Sequence, residues 1–264
     1  MQIQVLHNKA TIYDFLKLEA EHHIFSIGDL DDFFWPKTIW YSLTEAETIR
    51  SIALVYIGME TPTLLLFANG DATYSKHLLN GLKSILPQKF NAHLSPGLID
   101  VFGSENVLKH YGFSHKMVLR TVIDMPGDKN LRRLTLEDIP AVETLLSVAY
   151  PQHWFDPRMI LTGKYFGYFD QEQLVGVAGV HVYSEKYRVA ALGNIATHPD
   201  FRGQRIASKV TSALCHDLKK SIDMIGLNVR DENRSAIKCY LNLGFETIGS
   251  YDECLIRNEG ICHK

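Results

Sequence analysis

The sequence predicts an α/β protein built from two copies of one domain. Three observations carry this reading. Helical spacing of apolar residues alternates with strand-like apolar runs in both halves, three runs of the second half follow one another as a meander, and the two halves end alike. Val107-Leu-Lys-His-Tyr-Gly-Phe113 echoes Ile237-Lys-Cys-Tyr-Leu-Asn-Leu-Gly-Phe245, and Thr48–Tyr56 resembles Leu174–Val182. The polar, breaker-rich stretch Asp124-Met-Pro-Gly-Asp-Lys-Asn130 marks the expected boundary, giving domains 1–127 and 128–264.

In the first half a helix is expected near 9–20, strands at 38–44, 48–58 and 62–68, an amphipathic helix at 72–86 and a further strand. In the second, Thr135-Leu-Glu-Asp138 offers an N-cap hydroxyl with an acid three residues on. Ile139, Val142, Leu145, Leu146 and Ala149 follow at helical spacing, so a helix is expected over 135–149. Gly163–Phe169, Leu174–Tyr183 and Arg188–Ala196 read as an antiparallel meander. Ile206, Val210, Ala213, Leu214 and Leu218 then line one face of a helix over Arg205–Lys220. A strand over Met224–Val229, a short helix ending at Leu243-Gly244 and a strand from Phe245 complete the pattern.

Composition narrows the function. The chain has 264 residues, 27 Lys and Arg against 30 Asp and Glu, 46% hydrophobic and 22% charged residues. That balance supports a packed core and excludes disorder, and it lacks the basic excess of a nucleic-acid binder. No run approaches the roughly 20 apolar residues of a membrane helix, and no export signal is visible, so a cytoplasmic location and no membrane partner are expected. The four cysteines, Cys215, Cys239, Cys254 and Cys262, lack C-x-x-C spacing and are expected as reduced thiols. Cys262-His263 offers too few ligands for a metal, and no metal is expected.

The informative segment is Asn194-Ile-Ala-Thr-His-Pro-Asp-Phe-Arg-Gly-Gln-Arg-Ile-Ala-Ser208. A strand ends in a turn, and a basic, glycine-containing loop runs directly into an amphipathic helix. A helix N-terminus presents unpaired N–H groups and a positive dipole end, so this loop suits a diphosphate. Arg202 and Arg205 add charge, and Gly203 permits close backbone approach. The plain alternative is a helix start with two solvated arginines.

With these residues in view, the sequence over roughly 131–256 resembles the GNAT superfamily of acyl-CoA-dependent N-acetyltransferases. The family's loop pattern Arg/Gln-x-x-Gly-x-Gly/Ala is met by Arg202-Gly203-Gln204-Arg205-Ile206-Ala207 at its first and last positions, with Arg205 where glycine is usual. The pattern Asn-x-x-(Ser/Ala)-x-x-x-Tyr-x-x-x-Gly-Phe is met by Asn233, Ala236, Tyr240, Gly244 and Phe245. The resemblance implies tandem GNAT-like domains, each a twisted, mostly antiparallel central sheet flanked by helices. The first copy is degenerate, since Asn69-Gly-Asp-Ala-Thr-Tyr-Ser75 lacks the loop pattern.

What the resemblance implies for the site follows residue by residue. Acetyl-CoA is the acetyl donor. Ile195, Ala196 and Thr197 pair with its pantetheine arm beside a strand bulge. The segment Arg202, Gly203, Gln204, Arg205, Ile206, Ala207 and Ser208 holds the pyrophosphate, and Asn233 meets the arm. Tyr240 is the expected general acid, protonating the departing thiolate after direct attack by a primary amine in a ternary complex. Ribosomal-protein N-terminal acetyltransferases, which this stretch resembles, commonly carry Glu at the position of Asn228. His181, His198 and Glu185 are the substitutes for a base, with none favoured. Trp154 and Phe155, in the aromatic stretch after the first helix of the second half, are expected to touch an acceptor that is a small amine or a peptide N-terminus. A homodimer is compatible with the family. Two other readings stay open: a non-catalytic acyl-CoA-binding module, favoured by Arg205 and Asn228, and a Fem-type aminoacyl transferase.

Overall fold

A computed structural model describes residues 1–151 and 153–258. The chain forms two compact units. Among the described residues, one holds Met1–Lys116, Arg230–Glu232 and Ile248–Asn258; the other holds Met117–Val229 and Asn233–Thr247. Cys262 and His263 lie outside the described residues.

The first unit begins with β1 (Gln2–Leu6), α1 (Lys9–Leu16) and α2 (Ile24–Gly28). β1, β2 (Thr38–Glu45), β3 (Thr48–Tyr56) and β4 (Thr63–Leu66) then pair antiparallel in chain order. Asp71 caps α3 (Ala72–Leu82), which buries Leu78, Leu79 and Leu82 against β-strand residues such as Leu43, Ala53 and Leu64. β4 then pairs in parallel with β5 (Lys89–Leu94), and β5 pairs antiparallel with Asp252–Arg257 of the chain's last strand.

β4 and β5 stay together beyond their ladder. The Ser95 N–H donates to the Leu66 carbonyl at 3.1 Å, and the Ala68 N–H donates to Ser95 Oγ at 3.0 Å. The strand edge ahead of α3 is therefore occupied by the protein itself.

The echo between the two halves breaks at β6 (Val107–Leu119). Val107–Phe113 is strand, whereas its counterpart Ile237–Phe245 is helix as far as Asn242 and becomes strand only at Phe245. Two short 3-10 turns, Ile99–Phe102 and Ser104–Asn106, flank Gly103 at φ +81° and use up the residues a helix would need. Val107 therefore enters directly as strand.

The second unit follows the expected order closely. β7 (Leu131–Arg133) leads to the capping box of Thr135 and Asp138 and to α4 (Ile139–Ala149). β8 (Phe166–Asp170), β9 (Gln173–Ser184) and β10 (Val189–Thr197) form the antiparallel meander. α5 (Ile206–Leu218) returns the chain to β11 (Met224–Arg230), parallel to β10, and α6 (Arg234–Asn242) precedes β12 (Phe245–Arg257). Val142 and Leu146 of α4 and Val210 and Leu214 of α5 meet Val177, Val180 and Leu192 in one apolar core.

The breaker-rich stretch 124–130 lies inside this second unit. Lys209 of α5 bonds Asp128 at 2.7 Å, the Ser212 hydroxyl donates to the Ile123 carbonyl, and His216 meets Asp124. Its polar residues thus anchor the helix that follows the basic loop.

Candidate active site

β10 and β11 run together only for four residue pairs, Val189–Met224 to Leu192–Leu227. From Gly193 to Thr197, β10 instead bends away over a bulge at which Asn194 takes φ +52°. A bulge bends a strand and leaves a residue out of the ladder. The edge of Ile195, Ala196 and Thr197 is thereby released from β11, and Thr197 Oγ1 is sealed from solvent without a partner among the described residues. The divergence opens a wedge where the first unit keeps its strands joined.

At the end of that edge the chain turns through His198–Phe201 into the basic loop. Gly203 stands at φ +79°, and a Cβ there would meet nothing within 4 Å. Arg205, the N-cap of α5, adopts the left-handed pair φ 61°, ψ 18°. A side chain in that region costs on the order of 1 kcal/mol, so the loop keeps a glycine-like conformation at Arg205 despite its Cβ. Arg202, Gly203, Gln204 and Arg205 are exposed. Among the described residues the Arg202 side chain makes only long hydrogen bonds, 3.4 Å to the Thr197 carbonyl and 3.5 Å to that of Ala149.

The α5 N-terminus itself is firmly seated. Ile206 is buried, and a Cβ on Gly176 of β9 would run into its side chain, so the helix rests directly on β9. Lys209 donates the first turn's hydrogen bond to the Arg205 carbonyl at 3.0 Å, and the amides of Ile206, Ala207 and Ser208 precede it with no partner inside the helix. At the other end, burial pushes the Asp217 carboxyl up, but Lys164, Arg133 and Lys220 outweigh it and bring it to about 2. A pinned helix with a bare, basic N-terminus beside an open strand edge suits an extended, diphosphate-bearing ligand.

α6 approaches the same helix. Ser208 Oγ and Cys239 Sγ lie 3.3 Å apart, and Tyr240 follows Cys239. Tyr240 is buried, its ring edge-on to Phe245 at 5.9 Å, and burial pushes its hydroxyl well above the usual phenol range. Asn233 caps α6: its Oδ1 accepts from the Ala236 N–H at 3.2 Å and from the Ser235 hydroxyl. That oxygen is committed to the cap.

The three substitutes for a base sit in different settings. Glu185 is exposed and accepts from the Tyr183 hydroxyl at 2.5 Å. His198 accepts weakly from the Asp200 N–H at 3.4 Å and stacks edge-on with Phe201. His181, on β9, faces the bulge, and its ring lies 5.5 Å from the Trp154 indole, while Phe155 packs against Tyr165 at 5.8 Å. Sequence reasoning did not single out Asn194 or Tyr165. The glycines at 179 and 193 were the available signal.

Residues 129–245 match the model of the acetyltransferase (GNAT) family. Those residues form a GNAT domain. Acyl transfer is the chemistry of that family, and the match covers the wedge, the basic loop, Asn233 and Tyr240. Over the whole chain the fold is similar to a GNAT-family acetyltransferase from Colwellia psychrerythraea, at 15% identity and TM-score 0.59, covering 97% of this chain and 100% of that one. It is also similar to a tandem GNAT protein from the clavulanic acid biosynthesis pathway, at 12% identity and TM-score 0.61, covering 97% and 99%. A GCN5-related N-acetyltransferase from Sphaerobacter thermophilus gives 12% identity and TM-score 0.61, covering 98% and 97%. At such identities the likeness establishes the fold, here the tandem GNAT arrangement. No curated protein sequence is similar enough to match the chain. Among the described residues no helix is long and apolar enough to cross a membrane.

Proposed function

We propose that the GNAT domain transfers the acetyl group of acetyl-CoA to a primary amine by direct attack in a ternary complex. The observation that carries this reading is the parting of β10 from β11 after Leu192 and Leu227, directly ahead of the basic loop. Ile195, Ala196 and Thr197 offer a free strand edge to an amide-bearing arm. The amides of Ile206, Ala207 and Ser208, with Arg202, Gly203, Gln204 and Arg205, receive the diphosphate. Asn233 lies at the head of α6, with its amide nitrogen as the group for the arm. Tyr240 keeps its proton at neutral pH and gives it to the departing thiolate.

The two domains are proposed as 1–127 and 128–264, allowing for the strand segments that each unit takes from the other half of the sequence. The first binds no acyl-CoA in this reading, because Ser95 bridges the strands that part in the second. The acceptor is a small molecule or a peptide N-terminus, the compartment proposed is the cytoplasm, and a homodimer is the proposed assembly.

The test is thermal unfolding of the full chain with and without acetyl-CoA, together with release of free thiol in the presence of an amine panel. A ligand at about 100 times its Kd stabilises by roughly 2.7 kcal/mol, a shift of a few degrees. Gly203→Glu places a carboxylate against the diphosphate and abolishes the shift. A shift that survives Gly203→Glu, or two equivalents bound per chain, overturns the assignment.

A further inference from the structure

β10 stops pairing with β11 after Leu192, while β11 itself runs on as strand through Asn228 and Val229. Continuing the register of Leu192 with Leu227 would set Gly193 and Asn194 beside those two residues. The left-handed Asn194, at φ +52°, turns β10 away instead. Against β9 the pairing is irregular on both sides of this point. It steps from Val182–Ala191 to Val180–Leu192, which leaves His181 over, and from Gly179–Gly193 to Val177–Ala196, which leaves an extra residue on β10 at Asn194 and Ile195. Bulged residues drop out of the ladder, so strand pairing alone does not fix the path of β10 here.

One phenol spans both irregular strands. Tyr165, just ahead of β8, is fully buried, and a Cβ on Gly179 would run into its ring, so the ring rests on bare β9 backbone. The Leu134 N–H donates to the Tyr165 carbonyl at 2.9 Å, and Phe155 packs edge-on against the ring. The hydroxyl donates to the Val180 carbonyl of β9 at 3.0 Å and accepts from Asn194 Nδ2 of β10 at 3.0 Å. Burial holds that hydroxyl well above the usual phenol range, so the proton that the first bond needs is present at neutral pH. A single oxygen thus ties the left-handed residue of β10 to β9. The Asn194 side chain also engages the His181 imidazole, which burial pushes down to about 4 and leaves uncharged at neutral pH.

We propose that Tyr165 is a positioning residue for the acyl donor. Its hydroxyl holds Asn194 in the bulge, and the bulge holds the edge of Ile195, Ala196 and Thr197 clear of β11 for an amide-bearing arm. Being fully buried, Tyr165 acts through the strand and touches neither donor nor acceptor. Removing the hydroxyl takes this partner from Asn194 Nδ2 and from the Val180 carbonyl, and the edge is then free to swing towards Asn228 and Val229. The basic loop is seated independently, by Ile206 against Gly176 of β9 and by Lys209 on Asp128. Tyr165 therefore governs binding of the arm and not of the diphosphate. The inference deepens the acyl-transfer reading and rests on it for the identity of the ligand.

The test compares the full chain with Tyr165→Phe and Asn194→Gly, the second chosen because glycine accepts φ +52° and loses only the side chain. Acetyl-CoA is titrated beside adenosine 3′-phosphate 5′-diphosphate, the same donor without its arm. Tyr165→Phe is expected to weaken acetyl-CoA about tenfold and the armless nucleotide by less than about twofold. Asn194→Gly behaves likewise, and the double variant loses little more than either alone, because both remove one bridge. Without ligand, amide hydrogen exchange over residues 193–198 is expected to speed up about tenfold in Tyr165→Phe, with exchange in α4 unchanged. Equal weakening of both ligands would mean a general loss of stability and overturns the inference. So do additive losses in the double variant, unchanged acetyl-CoA affinity in Tyr165→Phe, or unchanged exchange over 193–198. Failure of the wild type to bind acetyl-CoA overturns the acyl-transfer reading, and the exchange measurement still upholds or overturns Tyr165 as the residue that holds the bulge.

Discussion

Lys116→Met tests the electrostatics of the first unit. Lys116 is only 6% exposed, and its ammonium group lies 3.1 Å from the centre of the Phe67 ring and donates to the His22 carbonyl. No carboxylate bonds it among the described residues, and burial drives its pKa well below 10.5. Between that lowered value and 10.5 the folded state binds fewer protons than the unfolded one. Stability therefore rises with pH in that window, by up to about 1.4 kcal/mol per pH unit. Asp29 works the other way: burial pushes its carboxyl up to about 8, so its contribution falls as pH climbs to that point and is constant above it. As pH rises toward 10.5, wild type is expected to gain stability over Lys116→Met, by at most about 1.4 kcal/mol per pH unit. The assay is urea unfolding of both proteins in a Trp154→Phe background, where emission comes from Trp35 and Trp40 of the first unit. Parallel stability curves for the two proteins would refute the reasoning, because they would mean that the amine stays charged on the faces of Phe67 and Tyr251.

Two predictions concern the GNAT domain. Tyr240→Phe is expected to lower kcat by about 10²–10⁴ with the acetyl-CoA thermal shift retained, and unchanged steady-state turnover would remove Tyr240 as the acid. Arg205→Gly relieves the left-handed strain at φ 61°, worth on the order of 1 kcal/mol, against the entropy glycine restores to the unfolded chain. Unfolding should show a change between about zero and 1 kcal/mol in favour of the variant, and titrations at two ionic strengths a weaker salt dependence of acetyl-CoA binding. A loss of stability beyond about 1 kcal/mol would mean that the Arg205 side chain holds the loop.

Much of the second unit was legible because its signals are local. Thr135 and Asp138 form the capping box that their spacing announces, and Ile206 to Leu218 buries the face that its periodicity marks. The loop before α5 was equally legible, since an arginine-rich, glycine-containing turn ahead of an amphipathic helix depends on a few adjacent residues. The echo at Val107–Phe113 misled for the same reason. A short window cannot report that the residues before it are already spent in turns around Gly103.

The sequence by itself therefore determined most elements of the second unit and the loop before α5, which follow from backbone preferences and apolar spacing within a dozen residues. Tertiary structure alone decided where β10 leaves β11, and why Ser95 closes the corresponding strands of the first unit. It also decided that the His181 and Asn194 bulges meet across a pair of glycines. Strand register is a relation between distant segments, and a polar atom lacks a partner only with respect to everything packed around it.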